Sequence, residues 1–421
     1  MGLIQVYEHE TILVGETRNG VSFEQKHYVS LSERLGKKSD TVFPYYSLIK
    51  HHRQDGIRFK QYVGAIQADD LTIEILPKTD KGYEDQDWKS VLLYMLGKVH
   101  RLNITAESCA PQKLRTSTIL DFVILRFLNE VESVVHQGLV KTYRYQSKNL
   151  TSLKGRLLFS KHLTKNLIHQ ERFYVQHVTY DNSHVMNCII KQALSCVAES
   201  SANLALRQKA CQFLTMFDEV PNIVIDEKLF STLSFDRKTE RYKEAISLSE
   251  LIVFNNMPNL SSGKKNTFAM MFDMNRLWEE FIYRTLKTNL SGQYIVGAQV
   301  RKRFWEAKVI RPDIVIRDAN DPERFFVLDT KWKQPKNMMP SDVDLHQMYV
   351  YYKYFNAEKV ALLYPSSDSA DISKQSIYVG SFIDQERGSC DLIYLPVPKW
   401  SVNTKEWQQT IVSTIVGWLN S

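Results

Sequence analysis

The chain has 421 residues, 43% of them hydrophobic, which is enough for about two or three domains with cores of their own and excludes a disordered or fibrous class. Its 54 Lys and Arg against 47 Asp and Glu give a formal charge of +7, which suits a polyanionic partner such as nucleic acid without requiring one. The five cysteines, Cys109, Cys188, Cys196, Cys211 and Cys390, are odd in number and form no CxxC pair, so they suggest neither a disulfide framework nor a zinc ribbon; the start MGLIQVYEHE has no basic n-region before an apolar core and runs such as VLLYML are too short to span a bilayer, so a cytoplasmic protein without membrane contact is expected.

In chain order, residues 1–80 carry short alternating segments, LIQVYE, TILVG, IRFKQYVGAIQ and LTIEILP, separated by turn residues. They predict a small N-terminal β-barrel or sheet domain. Over residues 81–263 the period becomes helical, in DWKSVLLYMLGKVHRL, STILDFVILRFLNEVESVVHQGL, HVMNCIIKQALSCVAE and RYKEAISLSELIVFN, and predicts a mostly helical middle region. The stretch PNLSSGKKN, Pro258 to Asn266, concentrates turn formers and marks a domain boundary. Residues 264–421 then read as a helix MNRLWEEFIYRTL, a strand YIVGAQV, two strands within VIRPDIVIRDANDPERFFVLDTKWKQ, a helix DLHQMYVYYKYF and a strand KVALLYP. The predicted class is therefore α+β multidomain, ending in an αβββαβ core.

The two strands joined by RDANDPER form a hairpin by pattern, yet they carry Asp313 on one arm and Asp329 and Lys331 on the other. Charge in a sheet interior is costly unless something compensates it. Side chains alternate along a strand, so Asp329 and Lys331 share a face while Thr330 takes the other, and Asp313 can lie opposite them. Two carboxylates on neighbouring strands suit a Mg2+-like cation, which keeps several waters and takes one or two carboxylates from the protein. A lysine two residues on can stabilise developing negative charge, and the set has the parts for phosphodiester hydrolysis. An acid two residues before a lysine also occurs at Glu24, Asp87, Asp226, Asp236 and Glu306. What separates Asp329 is the apolar FFVL before it, the Pro312-Asp313 step upstream and the helices on either side; a purely structural ion pair with Lys331 would leave the second aspartate uncompensated. Glu279 in the preceding helix and Gln347 in the following one complete the candidate set, Gln347 to position a water or phosphate. His346 reads as packing or surface.

The order Glu279, Pro312-Asp313, Asp329-Thr330-Lys331, Gln347 resembles the PD-(D/E)xK nuclease fold. More narrowly, FDMNRLWEEFIYR, RPDIVIRD, VLDTKWK and DLHQMYVY, with YVGAIQADDLTIEILPK, LKGRLLFSKHLTKN and YDNSHVMNCIIKQAL upstream, resemble the McrC family, the nuclease subunit of McrBC-type modification-dependent restriction systems. The likeness covers most of the chain. It implies a catalytic set of Asp313, Asp329, Lys331, Glu279 and Gln347, with Asp313, Asp329 and Glu279 holding Mg2+, for which Mn2+ can substitute. Trp278 stands where a smaller aromatic is expected, and the first 80 or so residues exceed the shortest family members. The resemblance also implies a partner, an McrB-like AAA+ GTPase hexamer, and a substrate, double-stranded DNA with modified cytosine. No nucleotide is expected on this chain itself, because its Gly-Lys pairs at Gly36, Gly97 and Gly263 lack the remaining residues of a phosphate-binding loop. The region before Gly263 is then the expected docking region. The alternative is a non-catalytic adaptor that activates an AAA+ ring and retains a nuclease-like fold.

Overall fold

The structure, a computed structural model, describes residues 2–34, 45–51, 54–77, 85–100, 118–257, 267–333, 339–366, 372–377, 389–398 and 404–421. The boundary expected at Pro258 to Asn266 lies outside them, as do Gly36, Cys109 and Gly263. The chain forms two compact units, one of Met1–Phe122, Asn259–Gly263 and Ala269–Ser421, the other of Val123–Pro258 and Lys264–Phe268. The segments 1–80, 81–263 and 264–421 follow chain order, whereas the units interleave.

In the first unit, strand Gly2–Tyr7 lies parallel to Leu71–Leu76, which pairs antiparallel with Tyr62–Ala68. The next strand in the sheet comes from more than two hundred residues further along the chain: Asp273 to Ala269 pair antiparallel with Tyr62 to Ile66. Leu71–Leu76 is buried at every position. Its core is shared with a second sheet, Thr11–Leu13, Gln54–Phe59 and Tyr46–His51, through Ile4, Ile66 and Ile73 on one side and Ile12, Ile57 and Phe59 on the other. The N-terminal β region is thus built around these two sheets, with a short hairpin of Thr17–Arg18 and Val21–Ser22 beside them, and borrows a strand from beyond its own segment. Gly64 permits the cross-strand approach: at φ +139°, a Cβ there would stand 1.9 Å from Met270 O.

Within that apolar sheet, Glu74 is fully buried and faces the equally buried Lys89, at 2.6 Å from Nζ to Oε2. Gln5 Nε2 donates to the same oxygen at 3.0 Å, and the backbone N–H of Ile119 donates to Oε1 at 3.1 Å. Ile119 opens the helix Ile119–His136, so the carboxylate also sits at the positive end of a helix dipole. The helix Asp85–His100, which carries Lys89, packs Tyr94 against Phe281 and Trp407 from the far end of the sequence, with ring centroids 6.0 and 5.7 Å apart.

The last residue of that helix is acid-sensitive. Burial, and then the charges of Arg284 and Arg276, hold the His100 pKa down at about 4. The unfolded chain takes up this proton first, so His100 leaves stability unchanged above about pH 6.5 and lowers it as pH falls toward about 4, by up to about 3 kcal/mol. His100→Gln is expected to flatten the stability curve across that window in urea unfolding at stepped pH; a curve as steep as the wild type would mean that the loss comes from other groups.

The larger sheet of this unit runs in the order Tyr294–Ala298, Ile314–Asp318, Phe325–Thr330, Lys359–Ser366, Ser389–Pro396, Ile372–Ile377. The first three strands are antiparallel, the middle three parallel, and the last returns antiparallel. One face packs on the helix Asp342–Phe355, where Val315, Val327, Val360 and Leu362 meet Met348, Tyr351 and Phe355. Phe326, on the opposite face by alternation, meets Trp418 of the helix Thr404–Asn420 at 5.9 Å between rings. Phe281, on the helix Met274–Asn289, stacks on Trp407 of that C-terminal helix. Trp278 is fully buried between Phe281 and Trp332.

The order helix, strand, two strands, helix, strand matches the sequence reading in outline, with one addition. Residues 309–310 do not begin the Asp313 strand. They close a separate hairpin, Lys302–Trp305 with Lys308–Ile310, and the strand after it starts at Ile314.

The second unit is mainly helical, with Ile189, Leu194 and Val197 of Val185–Ser200 and Leu248 and Ile252 of Lys243–Asn255 in its core. It also holds a three-stranded antiparallel sheet, Arg156–Leu157, Phe173–Asp181 and Thr142–Leu150, which the helical reading of 81–263 did not contain. The alternation of Thr142–Leu150 turns Tyr143 and Tyr145 outward, 73% and 76% exposed, so its large residues do not mark a buried face. Among the described residues no helix is long and apolar enough to cross a membrane.

Candidate active site

Register and alternation assemble the site. Ile314 pairs with Leu328, so Asp313, one residue before its strand, falls opposite Asp329 on the face that carries Val315 and Val327. Asp329 pairs in parallel with Leu362, and the Lys331 N–H donates to Leu363 O at 2.9 Å. The lysine therefore leaves the sheet at the carboxyl end of its parallel strands, where α/β sheets place ligands.

Asp329 is 1% exposed. Lys331 Nζ lies 2.5 Å from its Oδ2, a charge contact without the alignment of a hydrogen bond. The ammonium also stands 3.5 Å from Asp344 Oδ1 and donates to Gln347 Oε1 at 3.4 Å. The Gln347 amide donates to Asp329 Oδ1 at 3.3 Å and to Tyr351 Oη at 2.7 Å, and that hydroxyl donates to Arg311 O at 3.1 Å. Asp313 is held from the side: its Oδ2 accepts from the Thr330 N–H at 2.7 Å and from the Thr330 hydroxyl at 2.9 Å.

Glu279 stands apart from this group. Its Oε1 accepts from Gln299 Nε2 at 2.6 Å, while the Gln299 N–H donates to Asp313 O at 2.9 Å, so Gln299 links the glutamate to the aspartate. Gln299 does so from a left-handed backbone at φ 49°, a strained geometry for a residue with a Cβ and one that concentrates at functional positions. Glu280, its neighbour on the helix, is engaged elsewhere, by Arg284 at 2.6 Å. The structure thus brings Asp313, Asp329, Lys331 and Gln347 together and joins Glu279 to them through an amide.

Electrostatics sets the carboxyls apart from ordinary ones. Burial, then the charge of Asp313, raises the Glu279 pKa to about 7 against the Gln299 hydrogen bond. Asp329 is also pushed well above the usual carboxylate range, first by burial and then by Asp313, with Lys331 opposing. Burial raises Asp313 too, against its bonds to Thr330. Burial pulls Lys331 down, but Asp329 and Asp344 outweigh it and keep the ammonium charged. An arrangement that makes carboxylates costly until a cation arrives fits a hard divalent ion. Among the described residues no three His, Cys, Asp or Glu side chains converge as a ligand cluster. Asp313 and Asp329 are the two carboxylates that could hold such an ion.

Sequence reasoning did not single out Thr330, Gln299, Asp344 or Tyr351. The spacing of Tyr351 four residues after Gln347, one helical turn along, was the only local signal for any of them.

The fold and site define a mixed α+β protein with an acid–lysine–amide centre at the strand ends. The family model for the McrBC 5-methylcytosine restriction system component matches residues 57–365, well over half of the chain, and the chain belongs to that family. A chain of the refined half-complex from the tetradecameric assembly of Thermococcus gammatolerans McrB AAA+ hexamers with bound McrC is similar in fold, with a TM-score of 0.68 and 19% identity over 99% of this chain and 100% of that one. A chain of the cryo-EM structure of the Thermococcus gammatolerans McrBC complex gives a TM-score of 0.48 and 20% identity over 69% and 88% of the two chains. No curated protein is similar to it at a significant level.

Proposed function

We propose that this chain is the DNA-cleaving subunit of an McrBC-type restriction complex, a Mg2+-dependent endodeoxyribonuclease of the PD-(D/E)xK type that docks on and stimulates an McrB-like AAA+ GTPase hexamer. The observation that carries the proposal is the buried Asp329 lying between Lys331 and the Gln347 amide, with Asp313 opposite on the neighbouring strand. Asp313 and Asp329 would hold Mg2+, which, when bound, supplies Lewis-acid polarisation of the scissile phosphate. Lys331, kept charged by Asp329 and Asp344, meets negative charge as it develops on the phosphate. Gln347 orients the lysine and an attacking water. Glu279, whose pKa lies at about 7, can hold or release a proton near neutrality. The family supports a substrate of double-stranded DNA with modified cytosine. Gly97 lies inside the helix Asp85–His100 rather than in a loop before a helix, so its Gly-Lys pair does not form a phosphate-binding loop.

The test is co-assembly with the GTPase partner, followed by incubation with methylated and unmethylated duplexes, GTP and Mg2+. Cleavage of the methylated duplex only in the complete mixture is expected. Stimulated GTP hydrolysis without any cleavage would make the chain an adaptor.

Tyr351 fixes the Gln347 amide from outside the group that meets substrate. Tyr351→Phe is expected to lower kcat by about 10–100-fold, as loss of such supporting bonds does, with KM and the thermal midpoint little changed. A drop in thermal stability with kcat intact would assign the hydroxyl to packing instead.

A further inference from the structure

Among the described residues the hairpin Lys302–Trp305 with Lys308–Ile310 pairs with no other strand, and all but one of its strand residues are exposed. Its root is fixed: the Lys302 ammonium donates to Tyr354 O and lies over the Phe355 ring at 5.3 Å, and Phe304 packs on Tyr354 with centroids 4.8 Å apart. Its free part carries Trp305, 62% exposed, at a turn whose Glu306 holds φ 45°. From residue 301 to 311 the segment has five cations, Arg301, Lys302, Arg303, Lys308 and Arg311, against one carboxylate, Glu306. Among the described residues Arg301, Arg303 and Lys308 join no ion pair. Clustered like charges repel unless a polyanion compensates them.

A cleft of about 740 Å³ runs between the hairpin and the helix Asp342–Phe355, with Arg301, Phe304 and Arg311 on one side and His346, Gln347 and Tyr351 on the other. Gln347 belongs to the candidate site. The cleft thus borders the candidate site through Gln347, whose amide donates to Asp329 and accepts from Lys331.

We propose that this hairpin grips duplex DNA beside the scissile phosphate, with Arg303 and Lys308 on backbone phosphates and Trp305 against the sugars of the groove. Charge complementarity selects the occupant: a dense row of phosphates matches a short row of unpaired cations, and an aromatic beside them packs on the sugars regardless of sequence. Anchoring at Lys302 and Phe304 holds the grip in fixed register to the acid–lysine centre. The proposal rests on the nuclease reading for the identity of the polyanion, but its test needs no cleavage.

The full-length chain carrying Asp329→Asn is titrated with a labelled DNA duplex across a salt series. Adding Arg303→Ala and Lys308→Ala is expected to weaken binding and flatten the plot of log affinity against log salt by about 1.8, roughly 0.9 for each lost phosphate contact. Adding Trp305→Ala instead is expected to weaken binding on the order of tenfold, through lost packing of the ring on the sugars, with an unchanged salt slope. Thermal midpoints should stay at the parent value, since these side chains are exposed. An unchanged affinity and slope would overturn the proposal, as would an absence of duplex binding by the parent at low salt. A change in oligomeric state with DNA binding intact would overturn it in favour of a protein interface. Hairpin-dependent binding by a chain that never cleaves, even with its GTPase partner, would uphold the grip and sink the nuclease reading.

Discussion

Replacing Asp329 by Asn is expected to reduce DNA cleavage by the assembled complex on the order of 10³-fold or more. The substitution keeps the size of the side chain and an oxygen for the Gln347 amide, now 3.3 Å from Oδ1, but removes the charge that faces Lys331 and the proposed cation. Lys331 keeps Asp344 as a partner, so the folded chain is retained. Docking on the GTPase ring should be unaffected. Cleavage, co-elution with the ring and a Mg2+ titration of the thermal midpoint check the three parts separately. The wild-type midpoint should rise with Mg2+ and the variant's should not. Cutting within tenfold of wild type would remove Asp329 from the site.

Lys89→Met is expected to cost about 3–5 kcal/mol, because it strands the fully buried Glu74 carboxylate without its counter-charge. The loss should fall on the whole first unit, since Glu74 also accepts from Gln5 and from the Ile119 N–H and so ties two strands to two helices. Adding Glu74→Gln removes the charge but keeps an oxygen acceptor, and the double variant should recover more than half of the loss. Urea unfolding of the single and double variants yields the coupling directly. Additive losses would mean that the two side chains do not share one desolvated pair.

The same two residues illustrate what the sequence revealed and what it withheld. Lys89 follows Asp87 by two positions and was grouped with the chance acid–lysine triplets, yet it proves to be a buried cation whose partner is Glu74, fifteen positions earlier and on another element. A pair formed across elements leaves no local pattern. Asp329 and Lys331 were legible because strand alternation fixes which face they share and because an apolar run announced burial. Gln299 was not: its role arises from a left-handed backbone at the end of Tyr294–Ala298, which no side-chain pattern encodes. The strand Thr142–Leu150 escaped notice for the opposite reason, since its tyrosines face outward and mimic no buried stripe. Lys302–Lys308 carries no sequence signal of a strand, and Val309 and Ile310 read as the start of the next one, because the hairpin's apolar residues Phe304, Trp305 and Val309 cover no core.

The strand that completes the first sheet has a consequence for synthesis. Tyr62–Ala68 pairs at once with Leu71–Leu76 on one side but finds its second neighbour only at Ala269–Asp273, about two hundred residues later. At about 5–20 residues per second, a ribosome needs roughly 10–40 s to deliver that neighbour. Through this interval the nascent chain presents the open edge of YVGAIQA, an apolar strand with no charge to discourage pairing with other chains. Solubility during expression should therefore depend on how quickly translation reaches Asp273, and chaperone demand should be greatest for chains stalled or truncated before it.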